Sequence, residues 1–165
     1  MYQVGDHVVY PMHGAGVIEA ITEKEIMGQV QQYYTLKMPI GNMSVMIPVL
    51  GVEEVGVRDV ISAKEADAVL DEFRKSGMDE NNNWNKRYRE NMAKIKSGSA
   101  TEVAHVVKSL MLRDHMKGLS TGERKMLSSA KQILLSEISL AKKVDHTELE
   151  AQLEEIVSEE LAVKE

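Results

Sequence analysis

Val55-Gly56-Val57-Arg58-Asp59-Val60-Ile61-Ser62-Ala63-Lys64-Glu65 is the stretch in which the sequence changes period. Before it, short apolar runs are interrupted by Gly, Pro and Asn; after it, apolar residues recur every three or four positions. Ser62 followed by Glu65 is a capping-box pattern: the hydroxyl accepts from an orphan N–H at a helix start while the carboxylate reaches back. The boundary therefore falls near residues 56–62. It divides the chain into residues 1–60 and residues 61–165.

Upstream, residues 5–10 lead into Val8-Val9-Tyr10 and stop at Pro11. Gly14 and Gly16 introduce a run over 17–21, and Met27-Gly28-Gln29 marks a hairpin turn. Residues 31–38 are rich in Tyr, Thr and Leu and end at Pro39; Gly41-Asn42 turns into 44–47, which stops at Pro48. Short strands with this punctuation predict a small antiparallel barrel of the SH3 or Tudor shape.

Downstream, the capping pattern repeats as Ser99-x-x-Glu102, Ser120-x-x-Glu123 and, with Asp as the cap, Asp145-x-x-Glu148. Asn83 is a further cap, and Gly77, Gly98 and Gly118 fall where the preceding helices should end. The spacing predicts five helices near 62–75, 84–96, 101–117, 121–143 and 146–162. The fold class is α+β: a Tudor/SH3-like barrel followed by a compact five-helix domain.

Charge is segregated along this frame. Residues 1–83 carry 6 Lys/Arg against 13 Asp/Glu; residues 84–143 carry 13 against 5; residues 144–165 carry 1 against 8. A net of −6 thus hides a basic middle. Such a segment suits phosphates, whereas the acidic barrel is better matched to a protein partner. The chain has no cysteine, which excludes disulfides and Cys-ligated zinc and fits a reducing compartment. With no secretory leader pattern and no apolar run near the length of a membrane span, a soluble cytoplasmic protein is expected.

The only tryptophan, Trp84, opens the basic stretch Trp84-Asn85-Lys86-Arg87-Tyr88-Arg89. On a helix starting there, Trp84, Tyr88, Met92 and Ile95 share one face, and Lys86, Arg87, Arg89, Lys94 and Lys96 occupy the others. Periodicity alone favours Trp84 as an extension of the core stripe. Its place at the first helical position, among cations, favours a rim residue aimed at nucleic acid, and both readings stand at this level. The basic surface extends through Lys108, Arg113, Lys117, Arg124, Lys125 and Lys131. The acidic face of the last helix reads as a solvated surface held away from DNA.

Catalysis is not expected. Gly118-Leu119-Ser120-Thr121-Gly122 matches a nucleophile-elbow string, with Asp145 and His146 downstream and an oxyanion-loop-like His13-Gly14-Ala15-Gly16 upstream. The elbow needs a strand before its serine, and here a helix precedes Ser120. The five histidines have no metal-ligand spacing, and no metal or cofactor is expected. A methyl-lysine cage is disfavoured because Tyr33 and Tyr34 point to opposite faces of a strand.

The strings Val4-Gly5-Asp6-His7-Val8-Val9-Tyr10-Pro11-Met12-His13-Gly14, Val55-Gly56-Val57-Arg58-Asp59-Val60, Asn83-Trp84-Asn85-Lys86-Arg87-Tyr88 and Gly118-Leu119-Ser120-Thr121-Gly122-Glu123-Arg124-Lys125-Met126-Leu127 occur in order. From about residue 2 to 160 the chain resembles the CarD/CdnL family of bacterial transcription regulators. Its first part alone also resembles the polymerase-interacting domain of transcription-repair coupling factors.

The resemblance implies a barrel that docks by strand pairing on the protrusion lobe of the RNA polymerase β subunit. It also implies a helical domain that meets promoter DNA at the upstream edge of the melted bubble. The family tryptophan, here Trp84, wedges into the minor groove, and Lys86, Arg87, Arg89, Arg124 and Lys125 hold the backbone. The open complex is thereby stabilised without a cofactor, by a monomer associated with the nucleoid through polymerase.

Family members often place basic residues at two polymerase-contacting positions. The first aligns with Lys24; the second aligns with Met46, which has lost the charge, so docking here is expected to be more apolar and less salt-sensitive. The alternative is a DNA- or RNA-associated adaptor that uses the same basic face without acting on polymerase.

Overall fold

The computed structural model describes residues 1–163. Among them, five strands, β1 (His7–Tyr10), β2 (Gly14–Ile26), β3 (Gln29–Lys37), β4 (Ser44–Pro48) and β5 (Arg58–Asp59), precede five helices. The helices are α1 (Ala63–Lys75), α2 (Trp84–Lys96), α3 (Ala100–Met116), α4 (Thr121–Lys142) and α5 (His146–Val163). The α+β class and the order of strands before five helices are as the sequence indicated, whereas the two-residue strand β5, which pairs with β1, was not expected.

The strands form one antiparallel sheet in the order β4-β3-β2-β1-β5. Alternating residues turn Val8, Ile18, Tyr34, Leu36 and Ile47 into a common core that Val52 and Val57 complete. β2 is much longer than the run over 17–21 that the sequence suggested. Its second half, Thr22–Glu25, is polar and shows no alternation, yet it stays paired with β3 as far as Ile26 opposite Gln29. The pairing is closed by Met27 and Gly28, both at positive φ (53° and 80°), a two-residue turn whose twist matches that of the strands. A bulge between Ile18 and Ala20 bends β2. Gly16 belongs to the strand because of close packing: a Cβ there would lie 2.6 Å from the Lys37 carbonyl oxygen.

In the helical half, α3 touches each of the other four helices. It is buried nearly all round, through Val103, Ala104, Val106, Val107, Leu110, Met111 and Leu112 among others. A helix apolar on every side belongs at the centre of a bundle. Phe73 of α1, Ile95 of α2, Ala130, Leu134 and Ile138 of α4, and Leu149, Leu153 and Val157 of α5 complete its surroundings.

The caps differ in detail from the sequence pattern. Ser62 and Glu65 form the reciprocal box. Ser99 and Ser120 accept from the N–H of Glu102 and Glu123, but the Glu123 carboxylate is committed elsewhere. At Asp145 the bond comes from Thr147 N–H, at 2.8 Å. Gly98 and Gly118 do take positive φ after α2 and α3, whereas Gly77 does not close α1. There Ser76 is extended, and the carbonyls of Phe73, Arg74 and Ser76 accept from Lys108 Nζ at 2.8, 3.1 and 3.1 Å.

Candidate nucleic-acid interface

The segment between α1 and α2 fixes where the basic stretch begins. Asp79 N–H donates to Ser109 Oγ of α3 at 3.0 Å, Asn81 N–H to Asp79 Oδ1, and Asn83 N–H to Asn81 Oδ1. Asn83 then caps α2 by accepting from Lys86 N–H at 3.2 Å. These short side chains bond to the nearby backbone, which holds a polar loop in one shape and sets the direction of α2.

Trp84, the first residue of α2, is 40 % exposed. It is a rim residue rather than part of the core. Its ring stacks on Tyr88 with centroids 5.0 Å apart and planes 20° from parallel. Its Nε1–H donates to Ser120 Oγ at 2.9 Å. Gly122, at the start of α4, lies beneath both rings: a Cβ there would be in ordinary contact, 3.6 Å from Trp84 and 3.7 Å from Tyr88. The indole is therefore held at one end and open to solvent at the other. Ser120→Ala removes both the α4 cap and this partner, and should lower stability by about 1 kcal/mol. Because Trp84 is the sole tryptophan, its fluorescence should also shift to the red. An emission maximum unchanged from the parent would show that the indole is not held by Ser120.

Arg87 departs from the sequence expectation. It is only 3 % exposed, and its Nε and Nη2 donate to Glu123 Oε2 and Oε1 at 2.8 and 3.0 Å. Nη1 donates to the Asn81 carbonyl at 2.8 Å. A phosphate would have to displace this forked pair to reach it, so Arg87 is not placed to hold DNA. Burial pushes the Glu123 carboxyl up, but Arg87 and the Ser120 N-cap outweigh this and hold it below the usual carboxylate range. The Arg87–Glu123 pair ties α2 to the first turn of α4, where Ser120 meets Trp84.

The buried face of α2 is accordingly Arg87, Asn91 and Ile95, while the Trp84–Tyr88–Met92 stripe is rotated towards the rim. Lys86 and Arg89 remain exposed, as do Arg124 and Lys125 on α4. Lys86 lies 4.0 Å from Glu90, and Arg124 lies 3.3 Å from Asp114. Lys125 lines a cavity of about 220 Å³ together with Tyr88, Met92 and Gly122, which places it next to the aromatic pair. The wider basic surface is smaller than the sequence suggested. Lys108 is fully buried, Arg113 is buried with Nη1 on the Asp79 carbonyl, and Lys131 pairs with Glu150 and Glu154 of α5. Those two carboxylates are therefore partly engaged, not merely solvated.

On the sheet, Lys24 and Met46 share one exposed face. Met46 is paired with Thr35 and Thr35 with Ala20, so these three point the same way, and Lys24 lies two alternations beyond Ala20. β4 is an edge strand. Tyr34 is buried and meets Tyr2 edge-on at 6.0 Å, while Tyr33 faces the opposite side.

Ser120 of the elbow-like string is the N-cap of α4, with its oxygen shared between Glu123 N–H and Trp84 Nε1–H. His146 Nδ1 stands 4.0 Å from Asp145 Oδ1. Among the described residues, no three His, Cys, Asp or Glu are grouped to hold a metal, and no helix is long and apolar enough to cross a membrane. The sequence reading missed Glu123 as a partner of Arg87, and Ser120 as a partner of Trp84. Both had been read as parts of a cap, and nothing in local spacing connects residues 36 positions apart.

Two family models match, CarD-like/TRCF RID domain over residues 2–61 and CarD, C-terminal domain over residues 68–154. The Bacillus subtilis (strain 168) protein named "Putative transcription factor YdeB" is 40% identical over 151 residues, covering 92% of this chain and 99% of that one. The solution NMR structure of the 72-residue N-terminal domain of Myxococcus xanthus CarD is 37% identical, covering 36% of this chain and 79% of that chain with a TM-score of 0.32. With both halves matched in order and a relative similar along nearly its whole length, the chain belongs to the CarD family of transcription-factor-like proteins.

Proposed function

We propose that this protein acts as a monomer in transcription initiation, joining the RNA polymerase β subunit to promoter DNA at the upstream edge of the bubble and stabilising the open complex. The observation that carries this reading is Trp84: a large ring, 40 % exposed, held from behind by Tyr88 and Ser120. An apolar plate fixed in this way inserts between base steps without losing much freedom of its own. Lys86, Arg89, Arg124 and Lys125 hold the phosphates on either side. Arg87 acts through Glu123 to position the plate and does not touch DNA.

The sheet supplies the other anchor. The outer edge of β4 offers unpaired backbone groups to a strand of the β-subunit protrusion lobe; Met46 lies on that edge strand, and Lys24, two strands inward on β2, shares its face. DNA contacts are largely independent of sequence, since they address backbone and groove shape. The protein would then reside in the cytoplasm, on the nucleoid through polymerase.

A wedge contact of a few kcal/mol, formed only with melted DNA, shifts the closed–open balance by about one to two orders of magnitude. Trp84→Ala should therefore shorten open-complex lifetimes on a ribosomal RNA promoter with cognate polymerase by about tenfold or more relative to wild type. Equal lifetimes with a folded variant would rule out the wedge. A wild type with no effect on lifetime would rule out the function.

A further inference from the structure

Arg58 is the last cationic residue of the sheet, and its guanidinium, while Nη1 keeps a bond to the Asp59 carbonyl of β5 at 2.9 Å, reaches across to the helices. Nη1 and Nη2 donate to Glu137 Oε2 and Oε1 of α4 at 2.6 and 2.8 Å, and Nε donates to the Gly98 carbonyl between α2 and α3 at 2.9 Å. Glu137 is 2 % exposed, and it also accepts from the Ile61 N–H of the connecting segment at 3.0 Å. One carboxylate thus holds the end of the sheet and the link to α1 at the same time.

The start of β2 adds a second tie. Ala15 N–H donates to Ser136 Oγ at 2.9 Å, and that hydroxyl donates to the Ile133 carbonyl. Gly14, at φ +115°, lies so close that a Cβ would stand 2.8 Å from Ser136 Oγ. The space left between Arg58, Glu137, Val9, Ile95 and Ile133 is about 10 Å³, room for a single water at most. Domains in one chain ordinarily move unless their interface is extensive and apolar. Here a forked ion pair, three hydrogen bonds between side chains and backbone groups, and close packing leave little play.

Resting on the function proposed above, we propose that Arg58 and Glu137 are positioning residues that fix the distance and angle between the polymerase-binding sheet and Trp84. Neither touches polymerase or DNA. A factor anchored at both ends gains from the second contact only if the first presents it at the right place; that gain is an effective concentration, and a loose joint forfeits it. The pair converts two weak anchors into one grip.

The test uses the full chain with Glu137→Gln, and with Arg58→Lys as a second variant that keeps the charge but not the fork. The natural chain has no cysteine, so spin labels at Gln29→Cys and Glu155→Cys report the separation of the two halves. Wild type should give a narrow distance distribution and the variants a broad one. Open-complex lifetime should fall by about tenfold, while affinity for core polymerase alone and for forked DNA alone stays at the wild-type level.

A narrow distribution in both variants overturns the proposal, as does a broad one with unchanged lifetime. Parallel losses of polymerase and DNA affinity also overturn it, because the pair would then be supporting the fold in general. If wild type itself fails to lengthen the lifetime, the function proposed above falls; the distance distributions still decide whether the pair fixes the two halves.

Discussion

Glu123→Ala is expected to lower the unfolding free energy by about 3–5 kcal/mol, because it strands the Arg87 guanidinium in a site from which solvent is nearly excluded. For a chain of 165 residues that corresponds to a fall in Tm of roughly 6–20 °C. The figure is the cost of breaking the pair, not what the pair contributes. Desolvating both ions offsets most of their attraction, so the double variant Arg87→Met/Glu123→Leu should recover most of the loss. Urea unfolding of the three proteins separates these cases. A Glu123→Ala variant within about 1 kcal/mol of wild type would mean that the pair is open to solvent.

The same pair makes stability depend on acid. The Glu123 carboxyl titrates lower in the folded chain than in the unfolded one. Its contribution is therefore fully present above the unfolded value and is lost as pH falls through the folded value. Wild type should lose more stability than Arg87→Met/Glu123→Leu on acidification below the ordinary carboxylate range. Parallel pH profiles would exclude Glu123 as the source.

Lys108→Met should cost about 3 kcal/mol, or roughly 6–12 °C in Tm. The ammonium is fully buried on α3, where it meets the last carbonyls of α1, lies 5.1 Å from the centre of the Phe73 ring, and stands 3.4 Å from Glu160 Oε1 of α5. Methionine keeps the stem and removes the donors, leaving buried carbonyls to fend for themselves at the negative end of a helix dipole. Hydrogen exchange should lose protection first in α1, which depends on Lys108 for closure, and least in the middle of α4. Uniform loss along the chain would show that the ammonium supports the whole core and not the end of α1.

These effects sit at residues that sequence patterns misread in the same way. Arg87, Lys108 and Arg113 look like parts of a basic surface because charged side chains are nearly always exposed unless paired. Each is buried because a partner far along the chain receives it: Glu123, the end of α1 and the Asp79 carbonyl. The apolar stripe of α2 misled similarly. Trp84, Tyr88 and Met92 follow helical spacing, yet the face turned inward carries Arg87 and Asn91. Tyr88 and Met92 are half-buried against the core, and Trp84 alone of that stripe is exposed, which is what the proposed function requires.

What the sequence determined by itself is local. The period change at residues 56–62, the serine and asparagine caps and the turn at Met27-Gly28 set the strands, the helices and their order, because each depends on a few neighbouring residues and the backbone bonds they satisfy. The order of four quoted strings sufficed for the family. Tertiary structure alone decided which cations face solvent, that Trp84 rests on Ser120, and that Arg58 reaches Glu137 across the two halves. Those outcomes depend on pairs of residues brought together only by packing, and a periodicity of two or 3.6 residues carries no information about a partner dozens of positions away.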